Sequence, residues 1–261
     1  MRWARFDRNG TPTYGVVEGD TIIPVRGSPF EAWERTTDRL KLADVKLLVP
    51  VVPPTFYAAG LNYAEHVKEA AEKLGLPVNL PTQADIGYRA NNALCADGED
   101  VVIPAHAPPK MNYEGELVVV IGKQAKHLTE DNAMSCVFGY TVGNDVSERT
   151  WQRGDRTFWR GKNTDTFKPM GPYIETDVDL DAMETVIRLN GKEDLRFKTN
   201  DMIFGIAHYI AAITKYITLV PGDVIWMGTD GTSPDLVHGD VVEVELTGLG
   251  VLRNRFVKAA A

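Results

Sequence analysis

Glu114 and Glu116 lie two residues apart at the start of the strand-like run MNYEGELVVVIG, residues 111–122. Because side chains alternate across a strand, both carboxylates leave the same face, with Cβ atoms roughly 6–7 Å apart. A pair at this spacing can bind one hard cation such as Mg²⁺, Mn²⁺ or Ca²⁺. The alternative is a solvated face, on which the two charges merely flank the strand. Against it, the same face continues with Val118 and Val120, and burying an unpaired charge is costly.

Asp145 ends a second apolar run, GYTVGND, and is the candidate for a third carboxylate ligand. The chain after it is basic and rich in aromatic residues, with Arg149, Arg153, Arg156, Arg160 and Lys162 interleaved with Trp151, Phe158 and Trp159. Arg can hold a carboxylate bidentately, and Lys can stabilise a developing oxyanion. This segment is therefore a candidate anion-binding site, although a solvated surface or a subunit contact would have the same composition.

His66 and Glu69 lie three residues apart in a predicted helix, AEHVKEAAEKLG. On one helix face the carboxylate can orient the imidazole as a general base, although exposed helix pairs often have the same spacing. Thr229 lies in a Gly/Thr/Ser-rich loop after the strand-like run DVIWMG. Its hydroxyl and the neighbouring N–H groups can bind a carboxylate, and a plain turn is the alternative.

The composition bounds the class of protein and its partners. The chain has 261 residues, 44% of them hydrophobic, and a net charge of −8, so it can build one large core or two unequal ones. The acidic balance disfavours nucleic acid or a membrane surface as a partner. Only two cysteines, Cys95 and Cys136, are present, and the N-terminus lacks an apolar targeting segment. We therefore expect a cytoplasmic protein.

Strand signals outnumber helix signals and do not alternate with them regularly, which predicts a β-rich α+β fold. The dipeptide Asn190-Gly191 predicts a hairpin turn. Helical patterns occur at residues 29–40, 64–75, 129–137 and 202–216. The proline-rich run VPVVPP, residues 49–54, predicts a connector. We place a small N-terminal domain at 1–50 and a larger catalytic domain at 51–261.

Taken together, these pieces resemble the fumarylacetoacetate hydrolase family from about residue 55 to the C-terminus. The motifs that carry the resemblance are GLNYAEH, YEGELVVVIGK, GYTVGNDVSER, KNTDTFKPMGP, TNDMIF and PGDVIWMGT, in this order. The resemblance is to the branch that contains acylpyruvases and 2-hydroxyhepta-2,4-diene-1,7-dioate isomerases. It implies a mixed β-roll with a metal at its mouth, a small N-terminal β-containing domain and a homodimer.

The resemblance also implies roles for individual residues. The metal ligands would be Glu114, Glu116 and Asp145, binding Mg²⁺ or Mn²⁺, with Ca²⁺ as a substitute in vitro. The catalytic residues would be His66 and Glu69, as a water-activating dyad, and Lys162. The substrate-binding residues would be Tyr63, Arg149, Gln152 and Thr229. The sequence departs from the family pattern at Arg89, Asn163-Thr164 and Asp230, and we expect these changes to affect the substrate and leave the metal site untouched.

The implied function is a metal-dependent hydrolase that cleaves a C–C bond in an acylpyruvate-type 2-oxo acid such as fumarylpyruvate, in aromatic or small-acid catabolism. The metal would act as the electron sink. An alternative is an isomerase or decarboxylase of a 2-oxo or 2-hydroxy-dienoate diacid, which needs no attack by water. A second alternative is a non-catalytic dicarboxylate binder. The His66–Glu69 pair argues against it, because a pure binder does not need to activate water.

Overall fold

The computed structural model describes residues 1–260. Strands outnumber helices, which confirms the β-rich α+β prediction. The strands are β1 (Arg2–Arg8), β2 (Thr11–Glu18), β3 (Thr21–Gly27), β4 (Trp33–Arg35), β5 (Leu40–Lys41), β6 (Lys46–Leu48), β7 (Phe56–Gly60), β8 (Asp85–Tyr88), β9 (Leu94–Cys95), β10 (Val101–Ile103), β11 (Met111–Asn112), β12 (Gly115–Ile121), β13 (Val137–Asn144), β14 (Ser147–Glu148), β15 (Lys168–Glu175), β16 (Glu184–Leu189), β17 (Lys192–Lys198), β18 (Val224–Trp226), β19 (Val241–Leu246) and β20 (Gly250–Lys258).

The α-helices are α1 (Ala64–Leu74), α2 (Glu130–Ala133), α3 (Arg149–Gly154), α4 (Trp159–Asn163) and α5 (Ile206–Tyr216), and short 3-10 turns cover Leu42–Asp44, Asn91–Ala93 and Met134–Cys136. Helix α1 confirms the prediction for residues 64–75. It ends at Gly75, whose φ of 64° is left-handed and whose N–H reaches back to the last turn. Within residues 1–260, no helix combines the length and the apolar character needed to cross a membrane.

The other helix predictions were partly wrong. The helix expected at residues 29–40 is absent, because Trp33 lies in strand β4, where its ring packs edge-on against Trp3 at a centroid distance of 4.8 Å. The prediction for 129–137 divides into α2 and a 3-10 turn. The helix predicted at residues 202–216 begins later than expected, because α5 starts at Ile206. Asn62 binds the N–H groups of Ile203 and Phe204, which holds that backbone in a turn.

The main sheet has 13 strands and places the site near its middle. Its order is β4-β3-β2-β1-β15-β13-β12-β18-β7-β8, with β5, β6 and β9 paired to β3, β1 and β15. The sheet is mixed, because β18 runs parallel to β7 whereas β12 and β13 are antiparallel. Strand β1 pairs with β15, so residues 1–50 extend the main sheet. A domain boundary at residue 50 stays a prediction.

A second sheet of five strands has the order β10-β20-β19-β16-β17 and packs its apolar residues into the largest core cluster. Strands β11 and β14 form a separate two-stranded sheet, and Met111 of β11 also makes an isolated bridge to Leu236. The turn between β16 and β17 is formed by Asn190 and Gly191, with φ of 53° and 78°. Two left-handed residues are what a tight type I′ hairpin requires, so the hairpin prediction is confirmed.

Strand β12 is the central support of the site, because both of its faces are buried. Leu117 and Val119 belong to one core cluster, whereas Val118 and Val120 belong to another with Trp226. Side chains at the start of such a strand have little freedom to move, because the close-packed neighbours fix its backbone.

Candidate metal centre

Three carboxylates converge where strands β12 and β13 meet. Glu114 precedes β12, Glu116 lies within it, and Asp145 follows β13. Gly115 is opposite Asn144 in the antiparallel register, so Glu114 is opposite Asp145, whose N–H donates to the Glu114 carbonyl oxygen at 2.8 Å. One carboxylate oxygen from each residue lies within 4.8 Å of the others. The residues are only 6%, 2% and 1% exposed, which excludes the solvated-face interpretation.

Asp145 is surrounded by cations. Its Oδ2 lies 2.8 Å from Nη2 of Arg89 and 3.1 Å from Nζ of Lys162, and its Oδ1 lies 2.6 Å from Nζ of Lys168. Burial opposes ionisation, but these three cations outweigh it and hold the pKa of Asp145 well below its usual range. We call Asp145 and its three cations the cation side of the triad.

Glu114 contacts two cationic side chains, one through each of its carboxylate oxygens. Its Oε1 lies 2.7 Å from Nη1 of Arg149, and its Oε2 accepts a hydrogen bond from the Lys162 ammonium group. Burial raises the pKa of this carboxyl, but Arg149 and then Lys162 lower it more strongly, to about 2. Lys162 therefore joins Glu114 to Asp145, as a single ammonium group shared between two carboxylates.

Glu116 differs from the other two carboxylates. Its Oε2 accepts a hydrogen bond from the Gly228 N–H at 2.7 Å, and among residues 1–260 it forms no ion pair. Burial, followed by the charges of Asp145 and Glu114, raises the pKa of Glu116 well above its usual value. We call Glu116 and residues 228–232 the loop side. Three close oxygen ligands, one of them without a counter-charge, fit a divalent cation.

Helix α1 is bound to the loop side, through a different set of hydrogen bonds from the one predicted. The Nδ1 atom of His66 faces the Gly231 carbonyl oxygen, while the Glu69 carboxylate accepts a hydrogen bond from the Thr232 hydroxyl at 2.7 Å. A carbonyl oxygen only accepts, so Nδ1 carries the proton and Nε2 keeps a free lone pair. Asp230 fixes the start of the helix by accepting the His66 backbone N–H at 3.0 Å.

His66 lies near the triad, since its charge, when present, is among those that lower the pKa of Glu114. Gly231, and not Glu69, is the group that orients its ring in this structure. The catalytic role of Glu69 stays a prediction. Through Thr232, Glu69 instead attaches the helix to the loop.

The predicted substrate-binding residues occupy unequal positions. Gln152 accepts a hydrogen bond from Nη1 of Arg149 at 2.9 Å and so supports a residue that reaches the triad. Thr229 is buried, and its hydroxyl lies 3.3 Å from the Asp230 carbonyl oxygen. Tyr63 is fully buried and donates to the Thr199 carbonyl oxygen at 2.6 Å. In this conformation Tyr63 presents no free polar atom to a substrate.

The basic segment forms helices α3 and α4, which the sequence did not predict. Only its first and last cations, Arg149 and Lys162, reach the triad. Arg160 instead pairs with Asp155 at 2.7 Å, and the two remaining arginines, Arg153 and Arg156, are exposed. The segment is therefore partly an anion-binding site and partly a solvated surface.

Two cations at the triad were misjudged from the sequence. Arg89 was expected to leave the metal site untouched, and this is wrong because its guanidinium binds Asp145. Its neighbour Ala90 donates an N–H to Asn163 Oδ1 at 2.8 Å, which ties that segment to helix α4. Lys168 was missed altogether. Its signal was a single lysine at the start of the apolar strand FKPMGPYI, since a buried lysine requires an anionic partner.

The fold and the acidic site define the class of protein. The chain belongs to the fumarylacetoacetate hydrolase family: the model described as Fumarylacetoacetate (FAA) hydrolase C-terminal matches residues 55–257. A second model, Rv2993c-like, N-terminal, matches residues 1–50. The predictions of family and of fold are thereby confirmed. Proteins of this family are enzymes, with hydrolases, isomerases and tautomerases among them, and they typically bind a divalent metal.

Three similar proteins illustrate this range. The chain is 32% identical over 279 residues to a 2,4-didehydro-3-deoxy-L-rhamnonate hydrolase of Sphingomonas, covering 98% of this chain and 95% of the relative. It is 35% identical over 231 residues to a human mitochondrial oxaloacetate tautomerase, covering 84% and 71%. The crystal structure of a 5-carboxymethyl-2-hydroxymuconate delta-isomerase from Mycobacterium smegmatis superposes with a TM-score of 0.89 at 33% identity, covering 99% and 100%.

Proposed function

We propose that this protein is a divalent-metal-dependent hydrolase that cleaves a C–C bond in an acylpyruvate-type substrate, a 2-oxo acid with a second carbonyl group at carbon 4. The observation that carries the proposal is the buried triad of Glu114, Glu116 and Asp145 beside His66. The triad offers ligands for a metal, and His66 offers a base with a free Nε2 atom.

The donor set supports Mg²⁺ or Mn²⁺ as the cation, because both prefer carboxylate oxygens. When bound, the cation would polarise oxygen atoms of the substrate and stabilise the negative charge that develops there as the C–C bond breaks. Glu116 supports this assignment most strongly, since its carboxyl group is buried, forms no ion pair among residues 1–260 and has a pKa raised well above its usual value, so that ionisation calls for a cation.

The electrostatics of the site favour an anionic substrate. Four cationic side chains contact Glu114 and Asp145, so formal positive charges outnumber the three carboxylates even before a divalent cation binds. Arg149 is the most accessible of them, with 19% of its side chain exposed. Its guanidinium, supported by Gln152, is suited to hold a substrate carboxylate, and Lys162 is suited to stabilise charge on a reacting oxygen.

His66 would supply the base for hydrolysis. Its Nε2 atom takes a proton from water as the water oxygen bonds to carbon 4 of the substrate. The bond between carbons 3 and 4 then breaks, and its electron pair remains on carbon 3. Carbon 3 takes up a proton, so the products are pyruvate and a second carboxylic acid. The Gly231 carbonyl oxygen holds the imidazole in the tautomer that this step needs.

One relative supports the substrate class. The name of the Sphingomonas enzyme describes hydrolysis of a 2,4-didehydro-3-deoxy acid, which carries carbonyl groups at carbons 2 and 4. That arrangement is the 1,3-dicarbonyl unit of an acylpyruvate. The similarity spans nearly the whole of both chains, so it includes the triad, helix α1 and the loop.

A second candidate is isomerisation, tautomerisation or decarboxylation of a 2-oxo or 2-hydroxy-dienoate diacid. It is supported by the names of the human tautomerase and the mycobacterial isomerase. These reactions use the same stabilised negative charge but need no attack by water. Loss of the His66 imidazole therefore separates the candidates, because hydrolysis depends on activated water.

The test is a small substrate panel. Chelator-treated protein is reloaded with Mg²⁺ or Mn²⁺ and incubated with fumarylpyruvate, acetylpyruvate, oxaloacetate and 2-hydroxyhepta-2,4-diene-1,7-dioate. We expect pyruvate to be released from one or both acylpyruvates. If only oxaloacetate or the dienoate is converted, the second candidate replaces the first. Saturable binding without any product would instead indicate a dicarboxylate binder.

A further inference from the structure

Lys168 is a buried cation that the proposed reaction does not use. It is the first residue of strand β15, and its side chain is fully enclosed. A substrate therefore cannot contact it. Burying an ammonium group at the centre of a sheet is expensive unless every N–H finds an acceptor, so the hydrogen-bond partners of Lys168 indicate what it does.

Three acceptors surround the Lys168 ammonium group. Nζ lies 2.6 Å from Oδ1 of Asp145, 2.9 Å from the Val146 carbonyl oxygen and 2.8 Å from the Phe167 carbonyl oxygen. An ammonium group has three N–H donors, so this geometry uses all of them. The two carbonyl contacts also fix the ammonium group to the backbone on both sides of the site.

The two oxygens of Asp145 are thereby made unequal. Oδ2 accepts hydrogen bonds from Arg89 and Lys162, and Lys162 also contacts Glu114, so this oxygen lies on the side where the triad converges. Oδ1 is held by Lys168, whose position the backbone fixes. Because Lys168 is fully enclosed and held by the backbone, it stays on Oδ1 when a cation enters, whereas the more accessible Arg89 and Lys162 can move away from Oδ2.

This inequality matters for the choice of metal. Ca²⁺ takes six to eight oxygen ligands and often uses both oxygens of a carboxylate, at about 2.3–2.6 Å. Mg²⁺ requires near-octahedral geometry at about 2.0–2.1 Å, which a carboxylate that chelates through both oxygens fits poorly, because the angle between its two oxygens at the metal is too narrow. A site in which a ligand is prevented from chelating disfavours the larger ion.

We propose that Lys168 is a positioning residue that restricts Asp145 to one metal-binding oxygen and so selects a small octahedral cation, Mg²⁺ or Mn²⁺, over Ca²⁺. The proposal rests on the proposed metal site and adds its ion selectivity. It differs from a purely structural role, because a residue that only stabilises the fold would weaken the binding of all cations alike when it is replaced.

The test compares K168M with R89M. Both variants remove one positive charge next to Asp145, but the two cations favour different oxygens. Lys168 binds Oδ1 at 2.6 Å, whereas Arg89 binds mainly Oδ2, with Nη2 at 2.8 Å and Nε at 3.2 Å, and its Nε lies 3.4 Å from Oδ1. Mg²⁺ and Ca²⁺ affinities are measured by titration calorimetry on chelator-treated protein at one fixed pH. We expect the ratio of affinities in K168M to move toward Ca²⁺ by about tenfold or more. In R89M both affinities should change together, so that the ratio stays close to the wild-type value.

K168Q is a second variant that tests the proposal if K168M does not fold. Its side-chain amide can still donate a hydrogen bond to Asp145 Oδ1. Its ratio should lie between those of the wild type and K168M, or, if K168M is lost, shift toward Ca²⁺ less than about tenfold. An unchanged ratio in the folded Lys168 variants, or an equal shift in R89M, would overturn the inference. The wild type is tested independently: Ca²⁺ binding more tightly than Mg²⁺ would also overturn it. Wild-type protein that binds neither cation would instead refute the proposed metal site.

Discussion

The cation side and the loop side of the triad differ in how their buried carboxyl groups are compensated. On the cation side, Asp145 contacts three positive side chains, and its pKa lies well below the usual range. On the loop side, Glu116 is hydrogen-bonded only by the Gly228 N–H among residues 1–260, and its pKa lies well above the usual value. The cation side is thus balanced without a metal. The loop side is not, and helix α1 is hydrogen-bonded to it.

We interpret this difference as a division of roles, in which the cation side would hold a metal in place and the loop side would use it in the reaction. The cation side is made of fully buried ion pairs between β-strands and short helices, which keep a ligand in place. The loop side combines an unbalanced carboxylate with His66, whose ring is oriented by a loop carbonyl oxygen. We therefore expect substitutions on the cation side to act mainly on stability, and those on the loop side to act mainly on metal binding and turnover.

The largest effect on turnover is expected from H66Q. If His66 is the base that activates water, pyruvate release from an acylpyruvate should fall by about 100-fold to 10,000-fold. Metal affinity should stay close to that of the wild type, because His66 is not a ligand. The matched control is H208Q, since His208 pairs with Glu130 on the surface and should have no effect. Hydrolysis at the wild-type rate in H66Q would show that His66 is not the base that activates water.

D145N tests the cation side through stability. It removes one charge from a buried cluster and leaves Arg89 and Lys168 without their anion, so the free energy of unfolding should fall by about 3–5 kcal/mol. Urea denaturation of the chelator-treated protein measures this change. The control is D38N, an exposed partner of Arg8, for which the expected change is within about 0.5 kcal/mol. Similar losses in both variants would show that Asp145 is not a special position.

E116Q is expected to have the opposite effect on the metal-free protein. Because the pKa of Glu116 is raised in the folded state, its ionisation destabilises the fold as pH rises from the ordinary glutamate pKa toward the raised one. A neutral glutamine keeps the acceptor for Gly228 and avoids this cost, so stability at neutral pH should rise by about 1–3 kcal/mol.

The same variant should lose the metal. Its affinity for Mn²⁺ is expected to fall by more than about 100-fold, because even residues that only support a ligand contribute about 10–100-fold. Thermal unfolding with and without Mn²⁺, at several pH values, measures both effects. A drop in metal-free stability, or an unchanged shift on adding Mn²⁺, would show that Glu116 is not the unbalanced ligand.

The smallest effect is expected from D230A. Asp230 Oδ1 accepts the backbone N–H groups of His66 and Gly231, so its loss should cost about 0.5–1.5 kcal/mol and lower the turnover number modestly. D230N retains the acceptor oxygen and should behave like the wild type. If D230N is impaired as much as D230A, the charge of Asp230 matters and the hydrogen bonds do not explain its role.

The sequence predicted the triad well because carboxylates two apart on a strand and one at the end of another strand are local patterns. It could not reveal the register that sets Glu114 opposite Asp145, which depends on pairing between distant strands. Lys168 and Arg89 were missed or misjudged for the same reason. Their partner, Asp145, lies 23 and 56 residues away along the chain.

Local helix patterns were similarly limited. Helix α1 was predictable, because its helix formers end at a glycine that can adopt a left-handed conformation. Helices α3 and α4 were not, because they are short and the contacts that hold them come from the triad and from buried Trp151. The hydrogen bond between His66 and Gly231 also joins segments far apart in sequence, so the i,i+3 spacing alone pointed to Glu69 instead.

The proposed metal-dependent hydrolysis is tested most directly by pyruvate release from an acylpyruvate. The release is measured with chelator-treated wild-type protein, before and after Mn²⁺ or Mg²⁺ is returned. We expect no release without a cation and full recovery once it is added, because the carboxylates of the triad can bind a metal but cannot replace it. Full activity in the chelator-treated protein would contradict the metal dependence of the proposed reaction.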